Sequence, residues 1–299
     1  EQTLNQGNAL IQQHPTSHTV HNILGAVNSL LGCKDQSVYH LREAIKLQPY
    51  HADAYNNLGA VLNDLGEYQE AQNLLEKAIQ IKPAYAEAYN NLGNVLMKLK
   101  DYEKARDHYT KAIQINPKYI EAYNNSGVTL LTLGRYEEAQ ELLEKAIQIK
   151  PDYAEAYNNL GNVQTQLRNL DVSIESFKRA IAIRPDYVEA HNNLGLVLQV
   201  LGRLDDAVAN YRHALDINPD YAEAHNNLGL VLHDQGKLDD AVASYHKALA
   251  VKPNYAKPYY NLANALKEQG KLHEAIDTYH KTLTLKPNYA EVHHNLGNT

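Results

Sequence analysis

The sequence is poor in several informative residue types. Among its 299 residues there is no tryptophan, and phenylalanine, methionine and cysteine occur once each. A single cysteine, Cys33, excludes an internal disulfide and a thiolate metal cluster, and it favours a reducing compartment such as the cytoplasm. No run approaches the ~18 consecutive apolar residues of a membrane span, so we expect no membrane partner.

An excess of positive charge and the common catalytic motifs are also lacking. The formal net charge of −7 argues against a nucleic-acid partner. A phosphate loop, an HExxH pair, a nucleophile elbow and a Cys-His arrangement are absent, so we expect no catalytic residue and no cofactor. The closest histidines, His14, His18 and His21, are interrupted by Pro15, which breaks the helical spacing of a ligand pair. We therefore expect no metal site.

What the chain does contain is a strict internal period of 34 residues. It is marked by the glycines Gly25, Gly59, Gly93, Gly127, Gly161, Gly195, Gly229 and Gly297, with Ala263 filling the one gap. Prolines keep the same interval at Pro15, Pro49, Pro83, Pro117, Pro151, Pro185, Pro219, Pro253 and Pro287. A period of this length predicts a solenoid, in which each unit buries its apolar face against its neighbours.

One unit, residues 86–119, predicts a helical hairpin. Apolar residues at helical spacing predict a first helix over Ala86–Leu99. Lys100 and Asp101 form the turn, where most other units have a glycine suited to a left-handed helix cap. A second amphipathic helix begins at Tyr102 and ends before Pro117.

Small residues lie where the two helices must approach, at Gly93, Ala105 and Ala112. This pattern of Leu-Gly, two alanines and a final proline resembles the tetratricopeptide repeat family. The resemblance implies an all-α fold, a right-handed α-solenoid (superhelix) of stacked antiparallel helix pairs. We expect the second helix of a degenerate preceding repeat in residues 1–17, eight complete units in 18–289, and the first helix of a truncated ninth repeat in 290–299.

Some units depart from the pattern. Ser126 replaces a core leucine, and the unit 154–187 places Gln164 on the core face, Arg168 at the turn glycine and Ser173 at a packing alanine. Because buried polar groups without partners are costly, we expect the unit 154–187 to be the least stable part of the array.

Two adjacent asparagines recur on the face of the first helix that the apolar residues leave exposed. We name the second of them the asparagine ladder: Asn57, Asn91, Asn125, Asn159, Asn193, Asn227, Asn261 and Asn295. We name the first of them the companion row: Asn56, Asn90, Asn124, Asn158, Asn192 and Asn226, after which Tyr260 and His294 interrupt it. Because an amide offers donors and an acceptor, a regular row of amides can bracket the peptide groups of an extended chain.

The ladder is similar to the inner surface of the O-GlcNAc transferase superhelix. That resemblance implies that both rows bind a peptide, chiefly through its backbone, and that contacts near Tyr260 and His294 differ. Two other interpretations stay open: the asparagines are merely solvated, or they make side-chain hydrogen bonds between units.

A row of acids accompanies the asparagines and bears on the ligand. It comprises Asp53, Glu87, Glu121, Glu155, Glu189 and Glu223, followed by Lys257 and Glu291. Aligned acids favour a neutral to basic ligand. Members of the family that grip a carboxylate use lysine and arginine, where this chain has asparagine and acid, which disfavours a chaperone-tail adaptor.

The first unit carries an apolar strip instead of the polar stripe, at Ile23, Ala26 and Leu30. We expect a helix over residues 4–13 to cover it; otherwise it anchors a partner or a second copy.

Three functions follow from these features. The first is a protein–protein interaction scaffold that binds an extended or disordered segment. The second is the substrate-recognition arm of a larger enzyme, because the chain begins without methionine, ends in mid-repeat and resembles bacterial arrays joined to glycosyltransferase or sulfotransferase domains. The third is a homo-oligomer formed through exposed solenoid ends.

Overall fold

The computed structural model describes residue 11 and residues 15–297. Within residues 15–297 the chain forms seventeen helices and no strand. They are α1 His18–Leu30, α2 Lys34–Leu47, α3 Ala52–Leu65, α4 Tyr68–Ile81, α5 Ala86–Lys98, α6 Tyr102–Ile115, α7 Ile120–Thr132, α8 Tyr136–Ile149, α9 Ala154–Gln166, α10 Leu170–Ile183, α11 Val188–Val200, α12 Leu204–Ile217, α13 Ala222–Asp234, α14 Leu238–Val251, α15 Ala256–Glu268, α16 Leu272–Leu285 and α17 Ala290–Gly297.

The chain divides into two compact units, residues 1–151 and 152–299. The first unit holds four helix pairs, α1–α8, and the second holds four pairs, α9–α16, followed by α17. Within each unit a first helix packs on its own second helix, and that second helix packs on the next first helix. Each unit is therefore an α-solenoid of stacked antiparallel helix pairs, which confirms the predicted fold class.

The repeated glycine is needed where the two helices of a pair cross. A Cβ atom added to Gly93 would lie 2.5 Å from Cε1 of Tyr109, far inside van der Waals contact. Tyr109 itself is buried, and Ala105 and Ala112 flank it on α6 without any exposed surface. The glycine and alanines thus let a large ring fill the space between the helices.

The apolar core follows the repeats within each unit. One cluster in the first unit extends from Leu41 to Tyr109, and one in the second unit extends from Ile174 to Val292. The large fully buried rings Tyr109, Phe177, Tyr211, Tyr245 and Tyr279 recur at the same place in their second helices.

The turns inside the pairs adopt the left-handed conformation that glycine favours. Gly66 has a φ of 84°, and the next N–H, that of Glu67, returns to the carbonyl of Leu62 at 2.9 Å. Lys100 and Arg168 occupy the equivalent position with a φ of 63° each, although their Cβ atoms disfavour it.

The helix bounds match the sequence prediction closely. The helix α5 ends at Lys98, one residue earlier than predicted. Leu99 caps the helix, and the Leu99 N–H donates to the carbonyl of Val95. The bounds recur every 34 residues through α17, and we propose the repeat division 18–289 and 290–299 on this basis. The helix expected in residues 1–17 lies largely outside the described residues.

We expected the repeat 154–187 to be the least stable because its buried polar groups would lack hydrogen-bond partners, and this reason is wrong. Gln164 accepts a hydrogen bond from the Ser176 hydroxyl at 2.7 Å, and Ser173 donates to the carbonyl of Leu170 at 2.8 Å. These polar groups are therefore satisfied. The buried hydroxyl that lacks a partner is that of Ser126, in the preceding pair.

Candidate functional site

The companion row is buried, which corrects its predicted place on an exposed stripe. Asn56 and Asn226 have no exposed surface, and the other members are at most 7% exposed. The prediction fails because the next first helix covers this position, a contact that one repeat read alone does not reveal. The ladder residues lie beside the companion row and are half-buried, apart from Asn261, which is buried.

The two rows hydrogen-bond to each other between consecutive repeats. In the first unit Asn91 donates from Nδ2 to Oδ1 of Asn56 at 2.9 Å, and Asn125 donates to Asn90 at 3.1 Å. The same bond recurs in the second unit, from Asn193 to Asn158, from Asn227 to Asn192 and from Asn261 to Asn226, at 2.9–3.1 Å. The interpretation that these asparagines make hydrogen bonds between successive repeats is therefore correct for these pairs.

Further groups fix two of the companion asparagines, Asn56 and Asn90. Asn56 also donates to the Glu87 carboxylate at 3.1 Å. Tyr119 hydrogen-bonds to Asn90, while burial, followed by the carboxylates of Glu87 and Glu121, raises the pKa of Tyr119 to about 12. The hydrogen bond with Asn90 acts in the opposite direction and lowers this pKa, as an amide N–H donating to the phenol oxygen does. The companion row is thus an internal polar network and not a free surface.

A concave site lies on the ladder face of the first unit. It encloses about 330 Å³ and is lined by Asn63, Asn94, Met97, Asn125 and Val128, among others. Oδ1 of Asn63 is buried there and has no hydrogen-bond partner. The Asn94 amide oxygen accepts from the Tyr109 hydroxyl at 2.8 Å and from Asn125 at 3.2 Å. The site thus combines an unpaired acceptor with ordered amides and apolar surface.

The ladder changes where the companion row is interrupted. Tyr260 takes the place of the companion asparagine, and Asn295 donates to its hydroxyl at 3.2 Å. The Tyr260 ring also lies 5.1 Å from the Tyr289 ring. An aromatic surface therefore replaces the amide network at this end of the second unit.

The row of acids is partly neutralised by bases near the end of the same repeat. Glu155 pairs with Arg184, Glu223 pairs with Lys252 at 3.2 Å, and Asp53 lies 4.0 Å from Lys82. Exposed pairs of this kind are individually weak, but they lower the negative potential that the acids alone would produce. The row is therefore less negative than its sequence suggests.

The histidines serve chiefly as packing residues. His191 and His225 are buried, and their Nε2 atoms lie 3.0 and 2.8 Å from the carbonyls of Pro185 and Pro219. His18 and His21 face His51 and His40, respectively, and not each other. His14 lies outside the described residues, among which there is no group of three possible metal ligands.

The apolar strip of α1 remains on the surface of the described chain. Ile23 is 52% exposed and Leu30 is 88% exposed. The segment expected to cover it, residues 4–13, lies outside the described residues except for residue 11. Among the described residues, no helix has both the length and the apolar character that crossing a bilayer requires.

Comparisons with known families agree with this architecture. One model described as "Tetratricopeptide repeat" matches residues 85–152 and 119–186, and another of the same description matches 40–73 and 176–209. A third, described as "TPR repeat", matches 59–100, 200–236, 231–270 and 263–299. Together these matches run without a gap from residue 40 to residue 299. No curated protein sequence matches the chain.

A solved structure of low sequence identity shares the fold. The APC/C hetero-tetramer Cut9-Hcn1 is 19% identical with a TM-score of 0.71, over 89% of this chain and 52% of that one. This chain therefore spans about half the length of that relative. YrrB, described as a TPR protein with an unusual peptide-binding site, is 24% identical over 66% of this chain and 97% of its own, with a TM-score of 0.48. MamA is 30% identical over 56% of this chain and 97% of its own, with a TM-score of 0.49.

The matched segments are all repeats of one type, and the described residues form the helix pairs that such repeats require. This content supports a protein–protein interaction scaffold. The chain belongs to the tetratricopeptide repeat family.

Proposed function

We propose that the chain binds an extended peptide segment of a partner protein along the face formed by its first helices. In this proposal the ladder asparagines contact the peptide backbone. The companion asparagines position them and take little direct part in binding. The observation that carries the proposal is a recurrent hydrogen bond from a ladder amide to the companion amide of the preceding repeat, as from Asn91 to Asn56 and from Asn193 to Asn158.

That bond orients the ladder amide without using all of its capacity. A side-chain amide has two N–H donors and an oxygen acceptor. Asn57 donates to Asn22 at 3.0 Å and Asn227 donates to Asn192 at 3.0 Å, each through one donor. Their oxygens also accept from the adjacent companion amides of Asn56 and Asn226, at 3.4 and 3.2 Å. The second N–H of such an amide and the second lone pair of its oxygen can then bracket one peptide group. Because the amides are ordered before binding, less conformational entropy is lost on association.

The concave site on the first unit supports the same proposal. Met97 and Val128 line this site and offer apolar contact to a side chain of the peptide. A site with few polar groups and adaptable apolar surface suits many sequences, as backbone recognition requires.

The charges favour a neutral to basic peptide over an acidic one. Asp53, Glu155 and Glu223 are paired with bases, and the Glu87 carboxylate binds Asn56. The remaining negative potential is modest, so we expect charge to adjust affinity and association rate and not to determine recognition.

A displayed library of random unstructured peptides provides the probe. A selected peptide, labelled with a fluorophore, is titrated against the parent and against a variant with Asn57, Asn91, Asn193 and Asn227 all changed to alanine. We expect the variant to bind at least about tenfold more weakly, a change of 1.4 kcal/mol. Leu75→Ala, a core change on α4, serves as a control, because it lowers stability without altering the ladder and should therefore bind the peptide like the parent. Equal binding by the parent and the ladder variant would refute the proposal.

A further inference from the structure

The ladder face becomes apolar in two repeats of the second unit. Three positions after a ladder asparagine, the first helices have small or polar residues at Ala60, Asn94, Asn162 and Asn264, valine at Val128, and leucine at Leu196 and Leu230. Val200, one turn further along α11, also takes a position that is polar in other repeats, as at Asp64 and Gln166. We name Leu196, Val200 and Leu230 the aliphatic patch.

The aliphatic patch is open to solvent. Leu196 is 43% exposed and Val200 is 59% exposed, while Leu230 is partly exposed. Residues three or four positions apart share one face of a helix, so Leu196 and Val200 lie on the same face of α11 as the ladder residue Asn193. The patch therefore belongs to the surface on which we place the bound peptide.

Two hydrogen bonds hold the faces of α11 and α13 side by side around the patch. Asn227 donates to Asn192 at 3.0 Å, and Gln199 donates to Asp234 at 2.8 Å. On each helix the patch leucine is three or four positions from both bonded residues. The two leucines therefore lie between these bonds and form one continuous apolar surface.

Leucine at this position forgoes hydrogen bonds that asparagine makes elsewhere. Asn94 accepts from the Tyr109 hydroxyl at 2.8 Å and from Asn125 at 3.2 Å. Asn264 accepts from the Tyr279 hydroxyl in the same way, at 2.5 Å. A leucine can accept neither bond, and it leaves apolar surface in contact with water. A contiguous exposed apolar surface of this kind is typical of a binding site.

Carboxylates lie at both ends of the patch. Glu189 is exposed near the start of α11, two helical turns before Leu196, and Asp234 is exposed at the end of α13, one turn after Leu230. Lys252, a base of the same face, is paired with Glu223 at 3.2 Å. The charge around the patch therefore complements a segment that carries bases on either side of an apolar residue.

We propose that the aliphatic patch binds an apolar side chain of the extended peptide, at a position flanked by lysine or arginine. The inference rests on the proposed function, since Asn193 and Asn227 beside the patch hold the backbone of the same peptide. The patch removes the apolar side chain from water, and Glu189 and Asp234 attract the flanking cations. Because backbone contacts alone recognise no side chain, the patch gives the ladder face a sequence preference.

Methyl NMR spectra of the whole chain, with carbon-13 in the leucine and valine methyl groups, test the proposal residue by residue. The probe is acetylated and amidated Gly-Ser-Lys-Leu-Lys-Ser-Gly. We expect it to shift the methyl signals of Leu196, Val200 and Leu230 in a saturable manner. An analogue with asparagine in place of leucine should bind at least about tenfold more weakly, because it buries no apolar side chain. An analogue with glutamate in place of both lysines should bind at least about threefold more weakly.

The matched variant is Leu196→Asn/Leu230→Asn. It should fold, because Asn94 and Asn264 occupy the equivalent position and the tyrosines that bond to them recur as Tyr211 and Tyr245. We expect this variant to bind the leucine peptide at least about tenfold more weakly than the parent. Leu196→Ala/Leu230→Ala, which introduces the residue found at Ala60, is a second variant with the same expected loss.

Three results would overturn the proposal: no saturable shift of the patch methyl signals, equal binding of the leucine and asparagine peptides, or unchanged binding by both folded variants. Equal binding of the lysine and glutamate peptides would overturn the preference for flanking bases. Asn193→Ala/Asn227→Ala separates this inference from the proposed function. Binding that depends on the patch leucines but not on these asparagines refutes the backbone contacts, and the converse refutes the patch alone.

Discussion

Asn91 donates a hydrogen bond from Nδ2 to Oδ1 of Asn56 at 2.9 Å, and thirty-five positions separate the two residues in the chain. The donor is a ladder residue and the acceptor belongs to the companion row of the preceding repeat. The same bond recurs from Asn125, Asn193, Asn227 and Asn261, so these ladder amides depend on a buried partner for their orientation. This dependence explains why two adjacent asparagines recur in a helix, where asparagine is otherwise unfavourable.

The companion asparagines should contribute more to stability than surface asparagines do. Asn90→Ala removes the acceptor of Asn125 and the partner of Tyr119, so it leaves buried polar groups unpaired. We expect it to lower the free energy of unfolding by about 1–3 kcal/mol, measured by urea denaturation. Asn73→Ala, at an exposed position of α4, should change it by less than about 0.5 kcal/mol. Similar values for the two variants would contradict the buried network.

Glycine at the two strained turns should stabilise the protein. Lys100 and Arg168 have a left-handed backbone that costs a residue with a Cβ atom about 1 kcal/mol or more. Lys100→Gly and Arg168→Gly should each raise the free energy of unfolding by about 0.5–1 kcal/mol, as seen in thermal denaturation. The opposite change, Gly66→Lys, should lower it. A loss of stability on introducing either glycine would contradict the assigned turn conformation.

Removal of the unpaired Ser126 hydroxyl should also stabilise the chain. The hydroxyl is buried without a hydrogen-bond partner, and alanine nearly preserves the volume of serine. Ser126→Ala should therefore raise the free energy of unfolding by about 1 kcal/mol. Ser173→Ala is the matched control. Its hydroxyl donates to the Leu170 carbonyl, so its removal should bring no such gain. A destabilised Ser126→Ala variant would show that the hydroxyl has a partner in solution.

Stability should decrease in mild acid because several histidines are buried. Burial, followed by the proximity of His21, lowers the pKa of His40 below its ordinary value of 6.5. Burial is also the largest cause that lowers the pKa values of His51 and His108. A group with a lowered folded-state pKa contributes stability above its unfolded pKa, and this contribution is lost as the pH falls. We therefore expect the free energy of unfolding to decline as the pH falls below about 6.5.

One substitution isolates the His21–His40 pair, whose Nδ1 atoms lie 3.0 Å apart. Leucine occupies the equivalent of position 40 in two other repeats, at Leu74 and Leu142. His40→Leu should therefore fold and should weaken the pH dependence measured by denaturation at a series of pH values. A pH dependence identical to that of the parent would exclude His40 as a source.

The periodic features of the fold could be predicted from the sequence because they are local. The equivalents of Gly93, with Ala263 as the one exception, mark where helices cross, and the equivalents of Pro117 mark where they end. The helix α5 differs from its predicted range by a single residue. The left-handed turn at Gly66 was likewise indicated by the residue alone. Each of these features depends on contacts within one hairpin.

The polar interior could not be predicted in the same way because it depends on partners distant in the chain. Gln164 is satisfied by Ser176 on the facing helix, and Asn56 is covered by the next repeat. One sequence signal was available for the second case. Every ladder asparagine stands thirty-five positions after a position of the companion register. Before Asn295 that position holds Tyr260 in place of an asparagine, and the Tyr260 hydroxyl accepts the bond.

The central claim is that ladder amides contact the backbone of a bound peptide. It is tested most directly by measuring the affinity of a selected peptide and of its backbone N-methylated analogues for the parent and for the ladder alanine variant. We predict that N-methylation at a contacted peptide group weakens binding to the parent by about tenfold and has little further effect on the variant. An equal loss in both proteins would contradict the claim.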